Sequence, residues 1–272
     1  SWYGSAVVFR SHSFTMQAVY LIGVQDLQLL ILSAICILFI NNWVFVSAIS
    51  VIAVLMHELF VFMFPTVAVV TYCKRVGSLT VDVNEIFRAL LSGFLVLLAL
   101  LSVTFLGVDV ERAQFESLMA ERMGSAAYQH GLWSGYFEVF SSVDENAHIG
   151  FAVLGNILGS LNYLVIPMLY AFILASAVSF CRKGEVWKNV LVFVSLIFPI
   201  FTILVAGDFY RWVGMSANMS LLALLAMSKS KIVTVPNKIF IMLLAFSFFA
   251  PFGAADLERP FPAHQMILEK FF

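Results

Sequence analysis

Charge is scarce in this chain of 272 residues: 11% of them are Asp, Glu, Lys or Arg, whereas 62% are hydrophobic. A typical soluble domain has about 25% charged and about 45–50% apolar residues. So little charge excludes an ordinary water-soluble surface, and the mean hydropathy of +0.98 indicates an integral membrane protein. The net charge of −1 and the lack of a basic tract indicate no nucleic-acid partner.

Cysteine is also scarce. Cys36, Cys73 and Cys181 lie far apart in or at the end of apolar runs, so we interpret them as small buried hydrophobic residues. The sequence has neither a P-loop nor a G-x-G-x-x-G motif, and the segment that begins at His57 lacks the second histidine of a zinc protease. We therefore expect no cofactor and no metal site.

The chain lacks an initiator Met, since it begins at Ser1, and its first residues lack the pattern of a signal peptide. We expect a trimmed product or a piece of a longer polypeptide, with room for further helices upstream.

What the chain has in abundance is apolar runs separated by short polar turns. A helix needs about 20 residues to cross a bilayer, and these runs supply seven or eight spans or half-spans. The predicted segments are 20–40, 44–72, 87–108, 149–160, 161–180, 190–206, 213–227 and 239–252. The sequence therefore predicts an all-α polytopic transmembrane helical bundle, with residues 1–272 forming a single domain.

The segment 44–72 is long for one helix. It either tilts as one crossing or breaks near His57 or Pro65 into two shorter helices. Trp43 precedes it as an interfacial anchor. We expect the segment to run towards the side that holds Lys74, while the number of spans before Lys74 stays open.

Basic residues set the orientation, because Lys and Arg concentrate in short cytoplasmic loops. Three groups of them alternate along the chain with connections that carry few bases or many acids. The cytoplasmic groups are Lys74, Arg75 and Arg88; Arg182, Lys183 and Lys188; and Lys229, Lys231 and Lys238. The connections 109–148 and 207–212 and the tail from residue 254 are assigned to the outside.

Residues 109–148 form a long extracytoplasmic loop that we expect to be structured. Residues 115–123 have the spacing of an amphipathic helix, and residues 128–140 bring aromatic and acidic side chains together. That composition suits either a sugar-binding surface or a helix at the membrane interface. The loop ends at Asp144-Glu145-Asn146 and His148. This segment either seats a cation or a polar substrate or caps the next helix through Asp144 or Asn146.

The adjacent pair His57 and Glu58 lies inside an apolar run. A charged side chain at the centre of a bilayer costs at least about 2.5–3.5 kcal/mol, so an intramembrane pair is a candidate functional site. Neighbouring residues on a helix project about 100° apart, and we therefore expect the two to serve different partners. The structural alternative is that both only form hydrogen bonds to neighbouring helices.

Asp208 and Arg211 are three residues apart, on one helix face at the beginning of the span 213–227. Aromatic residues surround them, so an interfacial ion pair explains them. A lone arginine on an otherwise acidic outer face suits a phosphate group equally well, and both interpretations stay open.

Several short pieces of the sequence resemble bacterial exopolysaccharide and O-antigen repeat-unit polymerases. The pieces are Asn41-Asn42-Trp43, the run from Ala53 to His57-Glu58, and Phe64-Pro65, with Arg10 placed upstream as an arginine is in that family. The turn Gly207-Asp208-Phe209-Tyr210-Arg211-Trp212 is similar to the Asp-x-x-Arg-Trp turn of related proteins from polysaccharide loci.

The resemblance implies a multi-pass glycosyltransferase of the bacterial inner membrane. It would join repeat units carried as polyprenyl-diphosphate-linked oligosaccharides, without a metal, beside other polysaccharide-assembly membrane proteins. Its implied roles are His57 for the base or acceptor contact, Arg211 and Arg10 for the diphosphate, and Glu58 and Asp208 as orienting partners.

Two other functions stay open. In a secondary transporter or flippase, His57 and Glu58 would relay protons and the glycine-rich half-span 149–160 would form a broken helix. In a membrane scaffold, the same polar residues would only bind neighbouring helices. A helix break near His57 favours the polymerase, with an outward-facing cavity shared with Arg211, whereas an unbroken helix favours transport.

Overall fold

The computed structural model describes residues 25–77, 81–106, 161–180, 186–204 and 209–249, and two isolated helical positions, Ser117 and Glu121. Every element in these ranges is a helix, which confirms the predicted all-α class for this part of the chain. Apart from Ser117 and Glu121, the predicted loop 109–148 and the predicted half-span 149–160 lie outside the described residues.

The described helices follow one another along the chain in this order. They are α1 (Gln25–Phe39), α2 (Trp43–Met56), the 3₁₀ helix η1 (Glu58–Phe62), α3 (Phe64–Val76), α4 (Val83–Leu106), α5 (Leu161–Phe180), α6 (Val186–Ile197), the 3₁₀ helix η2 (Phe198–Leu204), α7 (Phe209–Lys229) and α8 (Asn237–Phe249).

Among the described helices, α4 is the one long and apolar enough to cross a membrane. Its 24 residues extend about 36 Å, against a hydrocarbon core of about 30 Å. Large apolar side chains are exposed along it, including Phe87, Leu90, Phe94 and Phe105. A stripe of this kind is unusual on a soluble monomer and suits contact with lipid.

The centre of the bundle is α7, which packs against α1, α3, α5, α6 and η2. Each residue from Trp212 to Leu224 is buried. A helix that is buried on all sides is a core helix, and its small residues, such as Ala217 and Ser220, let neighbouring helices approach closely.

The predicted segment 44–72 is a hairpin of two short helices. Trp43 at the beginning of α2 and Arg75 in the last turn of α3 both bind Oε2 of Glu85. Their nitrogens Nε1 and Nε lie 2.6 and 2.5 Å from it. Both ends of the segment therefore lie at the same end of the bundle. The predicted break near His57 is confirmed, and a single tilted crossing that ends on the opposite side from Trp43 is excluded.

The tip of the hairpin, residues 57–63, lies beside the second half of α4. At mid-height, a Cβ at Gly93 would lie 3.4 Å from Cε1 of Phe64, the first residue of α3. One residue earlier on α4, the hydroxyl of Ser92 is 2.5 Å from the hydroxyl of Ser47 on α2. The ten residues from Ser47 to His57 rise about 15 Å. The tip therefore lies well away from the end of the bundle where Trp43, Arg75 and Glu85 meet, which we call the charged end.

A second interruption separates α6 from η2, inside the predicted span 190–206. Pro199 has no N–H, so the carbonyl of Ser195 cannot accept the usual i+4 hydrogen bond. The hydroxyl of Thr66 donates to that carbonyl instead, at 2.6 Å, and Ser216 donates to the next one, Leu196, at 2.7 Å. Side chains of α3 and α7 thus stabilise the end of α6.

Candidate functional site

His57 lies at the helix break itself. Its backbone is extended, with φ −160° and ψ 116°, its N–H donates to the carbonyl of Ala53, and its own carbonyl accepts the N–H of Phe60. The imidazole is 16% exposed, whereas the Glu58 side chain is 53% exposed. The interruption therefore holds a mostly covered ring beside an accessible carboxylate.

The two side chains contact each other, with Nδ1 of His57 lying 3.3 Å from Oε2 of Glu58. A protonated Nδ1 donates to this carboxylate, while an unprotonated Nδ1 accepts the N–H of Leu59, 3.5 Å away. The helical separation of about 100° does not apply to this pair, because the backbone at His57 is extended. With Nδ1 bound to Glu58, Nε2 is left as the proton acceptor.

The hairpin tip packs against η2. The ring centroids of Phe62 and Phe198 are 6.0 Å apart, and those of Phe198 and Phe201 are 5.6 Å apart. Two interrupted helices thus meet in one layer of the bundle. From there the chain leads towards the beginning of α7.

The structure brings together two of the predicted site residues, His57 and Glu58. Arg211 is the third residue of α7, and its side chain lies outside the described part of the structure. Asp208, Arg10 and His148 lie outside the described residues altogether.

A second polar cluster surrounds the buried carboxylate of Glu85 at the charged end of the bundle. It accepts hydrogen bonds from Trp43 Nε1, from Nε and Nη2 of Arg75, and from Nη1 of Arg88 at 2.6 Å. Arg75 also donates to the carbonyl of Asn41. One carboxylate therefore joins α2, α3 and α4.

Arg75 and Arg88 were predicted to flank one loop, whereas Glu85 was not predicted as a functional residue. A signal was present, because Asp82 and Glu85 have the Asp-x-x-Glu spacing of a helix beginning, with Arg88 three residues later. Oδ1 of Asp82 accepts the N–H groups of Asn84 and Glu85, at 2.9 and 3.1 Å. The capping residue thereby fixes the first turn of α4, from which Glu85 reaches its partners.

Lys74 caps α1 at the same end. Its Nζ donates to the carbonyls of Ile37 and Ile40, at 2.7 and 3.0 Å. Burial, together with the smaller effect of the positive charge on Lys229, lowers the pKa of Lys74 from 10.5 to about 8. Lys74 and Lys229, from two of the three predicted cytoplasmic groups, therefore lie near enough for their charges to interact.

No protein-family model, curated protein or solved structure matches this chain.

Proposed function

We propose that the chain is a multi-pass protein of the bacterial inner membrane, with seven or eight spans or half-spans. We propose that it joins sugar repeat units carried on polyprenyl diphosphate, as a glycosyltransferase-like polymerase. The observation that carries the proposal is the break at His57, which leaves an imidazole and a carboxylate paired at the tip of a hairpin. The exposed apolar face of α4 supports the membrane setting.

The pair supplies the base that such a transfer needs. The hydroxyl oxygen of the acceptor sugar bonds to the anomeric carbon of the donor, and its proton passes to Nε2 of His57. The bond between the anomeric carbon and the diphosphate oxygen breaks, and its electron pair leaves with the diphosphate. Glu58, bound to Nδ1, stabilises the imidazolium that forms.

The departing diphosphate gains negative charge, which a guanidinium stabilises well. We assign this role to Arg211, oriented by Asp208, with Arg10 and His148 as further substrate contacts. The packing of η2 against the hairpin tip supports this assignment, since η2 leads towards the beginning of α7.

Replacing His57 tests the proposal. Asn at position 57 keeps a side-chain acceptor for the N–H of Leu59 and so preserves the cap of η1, but it removes the base. We expect His57→Asn to abolish long polymer in cells while lipid-linked single repeat units still accumulate. The neighbouring change Met56→Leu is the matched control and should leave chain length unchanged. Full-length polymer made by a normally inserted His57→Asn protein would refute the proposal.

A secondary transporter or flippase is the second candidate. The observation that favours it is the meeting of two interrupted helices at Phe62 and Phe198, since discontinuous helices commonly form transporter binding sites. Nδ1 of His57 also has a partner with or without its proton, since it donates to Glu58 in one case and accepts from the N–H of Leu59 in the other. A proton relay requires such a pair of partners.

Vesicle measurements separate the two candidates. Purified protein in vesicles is assayed for movement of lipid-linked repeat units, with wild type, His57→Asn and Arg211→Ala compared. Unchanged chain length in cells with lost movement in vesicles assigns the site to transport. If neither property changes while both variants insert normally, His57 and Arg211 serve only to hold a scaffold together.

A further inference from the structure

A groove of about 630 Å³ runs between α2 and α4, away from His57 and Glu58. Its volume is in the range of about 300–1,000 Å³ that is typical of small-molecule sites. Asn42, Arg75 and Arg88 line it at the charged end of the bundle, and Val51 and Leu95 line it further along. The groove therefore has a cationic head and an apolar body.

Small side chains create the groove. Ser47 and Ser92 form its floor, and their 2.5 Å hydrogen bond holds the two helices close together there. Ala48 lines it too, and Val44 and Leu91 are exposed along its edges. An exposed apolar channel beside a helix that can span a bilayer suits a lipid acyl chain.

Hydrogen bonding at the head leaves Arg88 available for an anion. Nε and Nη2 of Arg75 are bound to Glu85, and its Nη1 donates to the carbonyl of Asn41. Arg88, with 51% of its side chain exposed, uses only Nη1 within the described residues, so further N–H groups face outwards.

The acids at this end, Glu85 and Asp82, are both engaged in hydrogen bonds. Glu85 accepts four hydrogen bonds, and Asp82 accepts two backbone N–H groups at the beginning of α4. Neither of them lines the groove. In formal charge Arg75 and Arg88 balance Glu85 and Asp82, whose charge also acts on Arg75, but the charged side chains that line the groove are the two arginines. The head of the groove is thus complementary to a phosphate.

We propose that the groove binds one anionic glycerophospholipid from the adjacent leaflet. The guanidinium of Arg88 binds the phosphate beside Asn42. An acyl chain follows the groove past Ala48 towards Leu95. This end carries Lys74 and Lys229 and is the predicted cytoplasmic side, where anionic lipids attract basic residues and occupy basic pockets between helices. The proposal requires the membrane setting of α4 but is independent of the chemistry assigned to His57.

Native mass spectrometry of the full chain in detergent tests this assignment, with phosphatidylglycerol and phosphatidylcholine added as probes. We expect phosphatidylglycerol to bind about tenfold more tightly, because both lipids offer a phosphate but the choline cation of phosphatidylcholine is repelled by Arg88. Arg88→Ala should remove that preference, while Lys238→Ala, which removes an exposed cation at the beginning of α8, should keep it.

Ala48→Phe blocks the body of the groove from an exposed position and leaves both arginines in place. It should weaken binding of both lipids several-fold, while Ser102→Phe, an equally large change further along α4, should not. Equal binding by wild type, Arg88→Ala and Ala48→Phe would overturn the proposal. So would displacement of phosphatidylglycerol by equimolar polyprenyl phosphate, which would assign the groove to the lipid carrier.

Discussion

The guanidinium of Arg75 forms a two-point ion pair with the carboxylate of Glu85, with Nε 2.5 Å from Oε2 and Nη2 2.9 Å from Oε1. The pair joins the last turn of α3 to the first turn of α4. Because Trp43 donates to the same Oε2, the beginning of α2 is held there as well. This junction makes α2, η1 and α3 a hairpin and carries His57 into the bundle at its tip.

Removing the charge of Glu85 should weaken the whole bundle. Breaking a buried ion pair by removing one partner costs about 3–5 kcal/mol, but Arg75 and Arg88 are partly exposed, so we expect about 2–3 kcal/mol for Glu85→Gln. Denaturant unfolding in detergent, followed by circular dichroism, measures the loss. The same substitution at the half-exposed Glu58 is the control and should cost about 0.5 kcal/mol or less. Equal stability of the two variants would contradict the role of Glu85 as the junction.

The side chain at position 93 should control how closely the hairpin packs on α4. A Cβ at Gly93 would meet Cε1 of Phe64 at 3.4 Å, an ordinary van der Waals contact, so Gly93→Ala should be neutral or stabilise by about 0.5 kcal/mol through helix propensity. Gly93→Leu has no such space and should destabilise by about 1–3 kcal/mol. Thermal unfolding of the Gly93→Ala and Gly93→Leu variants measures the difference. Equal melting temperatures would show that the hairpin does not pack against α4.

Thr66 and Pro199 should be energetically coupled. Thr66→Val keeps the volume of the side chain but leaves the Ser195 carbonyl without its donor, at a cost of about 1–2 kcal/mol. Pro199→Ala restores a backbone N–H at the i+4 position, so the same Thr66→Val change should cost less in that background. A double-mutant cycle of unfolding free energies measures the coupling. Simple additivity of the two changes would show that Thr66 does not substitute for the missing N–H.

Lys74 should titrate near pH 8, in contrast to the ordinary 10.5, because burial and the neighbouring Lys229 disfavour its charged form. The folded state then holds fewer protons than the unfolded state between these two values. Charging Lys74 therefore costs stability below pH 8, and this cost disappears as the pH rises from 8 to 10.5. NMR of ¹³C-methylated lysines gives the pKa directly. Lys229→Met should raise the pKa of Lys74, and an unchanged value near 10.5 in wild type would contradict the observed burial.

Local signals in the sequence indicated a break near His57 or Pro65 as one of two alternatives for the segment 44–72. A polar pair followed by Pro65 inside an apolar run is a short-range pattern, and α2 does end at Met56, with Pro65 in the first turn of α3. The helix over residues 161–180 was likewise predicted with its bounds, since polar residues flank a run of one helix length.

The return of the hairpin depends on partners that are distant in sequence. Hydropathy alone does not distinguish one tilted helix over residues 44–72 from two helices of 14 and 13 residues. The difference is decided by Trp43, which reaches Glu85 across 42 positions of the chain. The contact of Nδ1 of His57 with Glu58 also depends on an extended backbone that helical periodicity does not predict. Pro199, by contrast, was a readable signal for the end of α6.

Cysteine labelling from the two sides of the membrane tests the hairpin most directly. In a variant without the three native cysteines, single cysteines replace Asn41 before α2, Val81 before α4 and Leu106 at the end of α4, all exposed positions. A membrane-impermeant maleimide added to sealed vesicles should label positions 41 and 81 from the same side and position 106 from the opposite side. Labelling of positions 41 and 81 from opposite sides would contradict the hairpin, and with it the placement of His57 and Glu58 at its tip.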